Sequence, residues 1–494
     1  MSKHDRSEDV KEWAKDLNFA VAKELWNFPH KYGGSNFSDI RDDEGNYYVD
    51  LVLGGGGMLG MAHAGFIHAL EESDLKFRAV AGSSAGALSA ALLMGIRPDK
   101  KWKGLFLGAL LGALEGDELL DTVTGQKWFR GKFKKRAWIN LLPSLMAFCR
   151  YLFFRGIIKG DTYENRLVDT LQEIGKEQDS PKKVVGRMTN PPKLTVCHET
   201  GEDDIKGLEY MRLKIVAANI TQEEKVVYPD DRGQYDAFPE DKDQHDEDKD
   251  QLDKDKDQLD KDIRSVARWV RASSSVPIVF EPVRMTRAPA AMGDGPPQID
   301  VVDGGLMSNF PISVFHRPDD EKAKKWEPEV GQEKQEAETG QEQQEAEAGQ
   351  EQQEAEADPK KRVEGFYLTP RLPTFGCQLI AVKDRPNKTD CSWHLTKALI
   401  KSMMDVGDED FIATNPDYRL VVTKIDVTEI EPFKSSNSDL EAFNLYLSRE
   451  DKIGLFVHGY VRGKEFLKGF DWYGYKNLRR DMASERDKTG ESDK

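Results

Sequence analysis

From Tyr48 to Gly95 the chain runs twice through one local plan: a short apolar strand, a turn of small residues, and a helix. The first pass is YVDLVL, GGGGMLG and MAHAGFIHAL; the second is FRAVA, GSSAG and ALSAALLMG. Two such units in succession bury their apolar faces by laying the strands side by side in parallel and covering them with the helices. Further apolar strands at Leu213–Ala217 and Ile299–Val302 extend the sheet. The expected architecture is therefore α/β: a three-layer α/β/α domain with a mixed, mainly parallel central sheet and helices on both faces. Tyr418–Val427 reads as a later strand and Ser448–Leu467 as a C-terminal amphipathic helix, while Asp9–Phe28 reads as a helix that packs on or extends the domain. The 494 residues are enough for one large α/β domain with a sizeable core.

The first turn admits two chemistries. Gly55, Gly57 and Gly60 fit G-x-G-x-x-G between strand and helix, the dinucleotide-binding pattern. The same glycines also suit an oxyanion hole, because backbone N–H groups converge on a developing negative charge where no side chain blocks approach. A dinucleotide site requires an acid at the end of the next strand, about twenty residues on, to hold the ribose hydroxyls. Glu72 and Asp74 precede that strand, and its end carries Gly82, Ser84 and Gly86 in a G-x-S-x-G pattern instead. Small residues between an apolar strand and a helix permit the tight turn that lifts a nucleophilic serine. Ser84 is thus the candidate nucleophile, and the glycine turn its candidate oxyanion hole.

A serine hydroxyl needs a base. Of the nine histidines, His63 and His68 lie on the helix after the glycine turn, and His316, His394 and His458 are single residues in ordinary elements, though any could complete a Ser-Asp-His triad. Asp303 is the better candidate: an apolar stretch, QIDVVD, delivers it into Gly304-Gly305, where nothing bulky keeps a carboxylate from a serine hydroxyl. Partial burial would raise its proton affinity toward that of a useful base. Considered alone, Asp-Gly-Gly is also an ordinary turn sequence.

In this order, GGGMLG at Gly55–Gly60, GSSAG at Gly82–Gly86 and DGG at Asp303–Gly305 resemble the patatin-like phospholipases. The stretches GMAHAG, GIIKGD (Gly156–Asp161), RASSSVPIVFEPV (Arg271–Val283) and DGGLMSNFPI are similar too. The resemblance covers roughly residues 48–315 and, more loosely, a tail from Leu447. It implies a serine–aspartate dyad without histidine acting on lipid acyl esters, with Ser84 as nucleophile and Asp303 as base. It places the oxyanion hole at Gly55, Gly56, Gly57 and Met58, with Ala85, and gives Gly60, Gly82, Gly86, Gly304 and Gly305 structural parts. Neither metal nor cofactor is implied. Many members of the family have a basic residue where this chain has Leu59. Two rival readings stand beside it: a Ser-His-Asp carboxylesterase, and a catalytically silent membrane-associated scaffold.

The domain plan that follows has an N-terminal helical extension (1–47), a catalytic domain (48–315) interrupted at 236–262, a second insertion at 319–361, the rest of the catalytic domain (362–480) and a disordered tail (481–494). Both insertions are acidic tandem repeats. Residues 236–262 hold 13 acids against 5 bases, residues 319–361 hold 15 against 6, and together they carry the whole formal charge of −17. With few apolar residues to offset the entropy of ordering, they read as disordered or as solvated single helices.

From Thr122 to Gly160 there is no acid, but nine bases and eight aromatic residues. That mixture suits peripheral contact with an anionic membrane through residues 127–159. No nucleic acid is expected, since no RNA-binding signature accompanies it. Cys149, Cys197, Cys377 and Cys391 are too scattered for a disulfide framework or zinc cluster and read as buried thiols. The apolar runs are too short or too interrupted to span a bilayer, and the N-terminus lacks a secretory pattern, so an intracellular protein, cytoplasmic or peripheral to a membrane, is expected.

Overall fold

A computed structural model describes residues 3–24, 36–116, 155–178, 180–189, 194, 197–198, 211–236, 251–288, 297–316, 372–380, 402, 408–430 and 446–489. Single helical turns aside, helix α1 (Lys3–Glu24) is followed by β1 (Ile40–Arg41), β2 (Tyr47–Leu53), α2 (Gly60–Glu71), β3 (Leu75–Ser83), α3 (Ala85–Gly95) and α4 (Lys103–Gly112). Next come β4 (Gly156–Ile158), α5 (Asp161–Gln178), α6 (Pro181–Thr189), β5 (Cys197–His198), β6 (Arg212–Asn219), β7 (Glu224–Tyr228), β8 (Tyr235–Asp236) and the long α7 (Gln251–Ser273). The remaining elements are β9 (Ile278–Phe280), β10 (Val283–Arg287), β11 (Gln298–Asp303), β12 (Thr374–Ile380), β13 (Val422–Asp426), α8 (Arg449–Gly469) and α9 (Trp472–Thr489).

The sheet order is β13-β12-β2-β3-β6-β11-β10-β8. The five strands from β13 to β6 are parallel, whereas β11, β10 and β8 form an antiparallel wing. The sheet is mixed with a parallel core, as the doubled strand–turn–helix plan predicts. Leu51, Val52 and Leu53 are fully buried, as expected of a parallel strand covered on both faces. The same strand buries Asp50, whose two carboxylate oxygens accept the Arg78 guanidinium on β3 at 2.8 and 2.5 Å.

One helical layer contains α2, α4 and α8, joined by α1; the other contains α3, α5, α6 and α7. Helix α8 bears out the amphipathic reading. Ser448 and Asp451 form a capping box at its start, and Leu455, Phe456, Gly459, Tyr460, Gly463 and Leu467 make the buried stripe. Gly459 lets α8 approach α2 closely, since a Cβ there would lie 2.0 Å from the Ala62 carbonyl oxygen. Helix α1 begins earlier than its sequence suggests and buries Trp13, Leu17 and Val21, while residues 25–28 of the expected helix lie outside the described residues.

Tyr418–Val427 is a strand only in part. Its first four residues, Tyr418–Val421, form a helical turn, because the turn residues Asn415-Pro416-Asp417 accept the N–H groups of Tyr418, Arg419 and Leu420. The chain enters the ladder beside β12 only at Val422, and the Asp426 carboxylate ends the strand by accepting the Thr428 N–H at 2.9 Å. Helix α7 starts within the first acidic repeat and continues into a core-facing segment that buries Ile263, Val266, Trp269 and Val270. Residues 237–250, the repeat at 319–361 and most of the basic–aromatic stretch (117–154) lie outside the described residues. Among the described residues no helix is long and apolar enough to cross a membrane.

Candidate active site

Strand β3 delivers the serine turn between β2 and β6, with Gly82 beside Leu53 and Ser83 beside Val216. Ser84 then adopts φ 51° and ψ −119°, a conformation L-residues rarely take, and α3 begins at Ala85. Its neighbours have to be small. A Cβ on Gly82 would lie 2.2 Å from the Gly86 carbonyl, and one on Gly86 would lie 2.0 Å from the Leu53 carbonyl oxygen. The turn therefore closes only with glycine at both positions, as the G-x-S-x-G reading requires.

Asp303 closes β11 opposite Ala217 and is fully buried. Its Oδ2 accepts the Ser84 hydroxyl at 2.8 Å and its Oδ1 accepts the Gly305 N–H at 2.7 Å. Burial pushes this carboxyl up to about 7, with the two hydrogen bonds pulling the other way. Gly304 packs against β6, where a Cβ would lie 2.1 Å from the Val216 carbonyl oxygen. The structure thus brings Ser84 and Asp303 together across 219 positions of sequence.

The described histidine side chains are engaged elsewhere. His63 Nδ1 lies 3.5 Å from the Ser89 hydroxyl, and burial pushes the ring down to about 3, so it is neutral. His68 packs among Trp102, Phe456 and Tyr460. His316 Nδ1 pairs with the Tyr418 hydroxyl at 3.0 Å, and His458 Nε2 with the Asp426 carbonyl at 2.9 Å. His394 lies outside the described residues.

In the glycine turn, the Gly54 N–H goes to the Cys377 carbonyl at 3.0 Å and the Gly55 N–H to the Asn309 carbonyl at 2.7 Å. The second bond corrects the sequence reading: the Gly55 N–H already has a carbonyl partner and leaves the expected set of oxyanion donors. Gly55 provides clearance instead, because a Cβ there would lie 2.1 Å from Asn309 Oδ1 and 3.3 Å from Ser84 Cβ. Gly56 is similarly confined by Leu379. Gly57 has φ 59°, and its 3₁₀ turn leads into α2 at Gly60. Gly57, Met58 and Ala85 border the same cavity as Ser84. Ala85 opens α3, where first-turn N–H groups have no partner within the helix.

That cavity, about 100 Å³, is walled by apolar side chains including Met61, Leu88, Leu111, Val276 and Phe280. Ser84, Ser89, Tyr163 and Ser274 contribute its side-chain hydroxyls. Burial holds the Tyr163 phenol up at about 12, so it is neutral. Such a site suits a hydrocarbon chain with a polar ester at one end.

Sequence reasoning did not assign several residues around the site. Asp408 accepts the Ser308 hydroxyl and the Phe310 N–H, both at 2.6 Å, fixing the loop after Asp303. The Ser273 hydroxyl accepts the Ser84 N–H at 3.0 Å. Nothing local marks Asp408; Ser273 lay in the RASSSVP stretch, whose run of serines at a helix end was the available signal.

Fold and site together describe an α/β protein with an elbow serine bonded to a buried aspartate beside an apolar cavity. The Patatin-like phospholipase family profile matches residues 51–316, and the chain belongs to that family. At the family level this supports a lipid acyl hydrolase. An uncharacterized protein, YqhO of Bacillus subtilis (strain 168), is 25% identical over 422 residues, covering 85% of this chain and 98% of its own length. The crystal structure of VipD from Legionella pneumophila aligns with 88% of this chain and 71% of its own at 14% identity, with a TM-score of 0.30, too low to carry an inference.

Proposed function

We propose that the chain hydrolyses carboxylic esters of membrane lipids, phospholipids among them, with Ser84 as nucleophile and Asp303 as base. The observation that carries this reading is the 2.8 Å hydrogen bond from the Ser84 hydroxyl to Asp303, made at the wall of an apolar cavity. Asp303 takes the hydroxyl proton as Ser84 Oγ bonds to the ester carbonyl carbon, and the carbonyl oxygen becomes the oxyanion. Backbone N–H groups of Gly56, Gly57, Met58 and Ala85 receive it. As the tetrahedral centre collapses, the C–O bond to the alcohol breaks and the alcohol leaves with the proton from Asp303. Water, giving its proton to Asp303, attacks the acyl-enzyme, and Ser84 recovers its proton when the fatty acid departs. A carboxyl held near 7 is matched to both directions of this transfer.

The bases and aromatic residues between 122 and 160 support, on sequence alone, contact with an anionic lipid surface. Cosedimentation with vesicles of graded phosphatidylserine content tests that contact.

Hydrolysis of phospholipid vesicles and of a soluble short-chain ester by wild type, Ser84→Ala and Asp303→Asn, with folding checked by circular dichroism, tests the dyad. Loss of both activities in both folded variants is the expected result. An active Asp303→Asn variant would return the base to a histidine, and a wild type inactive on all substrates would favour the scaffold reading.

A further inference from the structure

We propose that Ser273 is a positioning residue for this reaction: its hydroxyl holds Ser84 in the elbow, and the tripeptide Ser273–Ser275 sets the spacing of nucleophile and base. The inference rests on the roles proposed above for Ser84 and Asp303. The Ser273 hydroxyl accepts the Ser84 N–H at 3.0 Å and donates to the Val216 carbonyl at 2.5 Å. The Ser273 carbonyl accepts the Gly304 N–H at 3.2 Å, and the Ser275 carbonyl accepts the Asp303 N–H at 3.0 Å. Between them, the Ser274 hydroxyl donates to the Ser84 carbonyl at 3.4 Å. Three consecutive residues therefore bind the backbones of both dyad members and of the strand between them.

The tripeptide is anchored independently of the dyad. The buried Arg271 guanidinium donates to the carbonyls of Lys159, Gly160 and Glu281 and to the Ser275 hydroxyl. Gly160 has φ 86°, and a Cβ there would lie 1.9 Å from Arg271 Nε, so the loop that receives the guanidinium leaves no slack.

Ser84 has particular need of such a holder. A non-glycine residue at positive φ persists only where its surroundings over-determine it. The Ser84 side chain faces Asp303 and makes no capping bond to α3. Without the Ser273 hydroxyl, the buried Ser84 N–H and the Val216 carbonyl would each lose the partner described here. The elbow could then relax toward commoner dihedrals, carrying Oγ away from Asp303, and displacements of about 1 Å can cost on the order of a hundredfold in rate.

The test is steady-state kinetics on the soluble short-chain ester, from pH 5 to 9, with the full-length wild type, Ser273→Ala, Ser273→Cys and Ser84→Ala. Ser273→Ala is expected to lower kcat on the order of ten- to hundredfold with KM changed less than about twofold. The ionisation seen in kcat/KM should also move to higher pH, because Asp303 loses part of the Ser84 hydrogen bond that favours its charged form. If Ser273→Ala fails to fold, Ser273→Cys, which fills the same space with a weaker hydrogen-bonding group, carries the same expectation. A folded variant with wild-type kcat, or with reduced kcat and an unmoved ionisation, overturns the positioning role. Activity retained by Ser84→Ala would overturn the dyad itself, an outcome separate from either result at Ser273.

Discussion

The turn at Gly55–Gly60 and the turn at Gly82–Gly86 end neighbouring parallel strands and open helices, yet they manage backbone strain oppositely. In the first, the positive φ falls on Gly57, which has no Cβ to object. In the second it falls on Ser84 itself. A turn that presents backbone N–H groups can leave its awkward dihedrals to glycine. A turn that presents a side-chain oxygen has to put a side chain at the awkward residue, and neighbours must then hold it. This is why hydrogen bonds from other segments, the Ser273 hydroxyl first among them, gather on the serine turn.

The sharpest break of this comparison is Ser84→Ala. If the serine turn exists to present an oxygen, hydrolysis should fall on the order of a thousandfold or more while the fold survives. Unchanged turnover in the vesicle assay would deny the turn that purpose.

A second test asks what the buried partner of that oxygen costs the fold. Asp303 is raised from its ordinary 3.8 to about 7, so its contribution to stability is fully present below the unfolded value and is lost as pH rises through the folded one. Asp303→Asn, which cannot ionise, should therefore be inactive yet more stable than wild type above pH 7, by about 4 kcal/mol, with the advantage fading toward pH 4. Urea denaturation at pH 4.5 and 8 would show it, and an advantage equal at both pH values would contradict the assignment.

On the glycine side, Gly57→Ala puts a Cβ on a residue at φ 59° that is itself a proposed oxyanion donor. A side chain is strained at that dihedral, and the relaxation turns the N–H away from the oxyanion, so a loss of kcat of about a hundredfold is expected, with a smaller change in KM. The smallest effect belongs to Leu59, which is buried at 3% exposure and serves the turn by packing. Leu59→Met should cost less than about 1.5 kcal/mol by thermal melting and leave kcat near wild type.

Both turns were legible because each combines an apolar run with clustered glycine, a pattern that has few local solutions. Asp303 was legible for the same reason, standing between an apolar strand and two glycines. What sequence left open was direction: in the run Gly54–Gly57 nothing indicates which N–H groups face the site, and the carbonyls of Cys377 and Asn309 that claim two of them come from distant segments. The role of Ser273 was hidden likewise, because its partners Ser84 and Val216 stand 189 and 57 positions away. At Tyr418 the apolar pattern suited a strand, but the preceding turn residues delayed its start.

Those separations bear on how the molecule assembles. Ser84, Val216, Ser273 and Asp303 come from four segments, with 219 positions between the outer two, so the site forms only after long loops have closed. Helix formation within each segment is fast and local by comparison. During refolding from urea, ester hydrolysis should therefore return after the helical dichroism signal, and the proposed Ser84–Asp303 pair would serve as a built-in reporter that the last long-range contacts are in place.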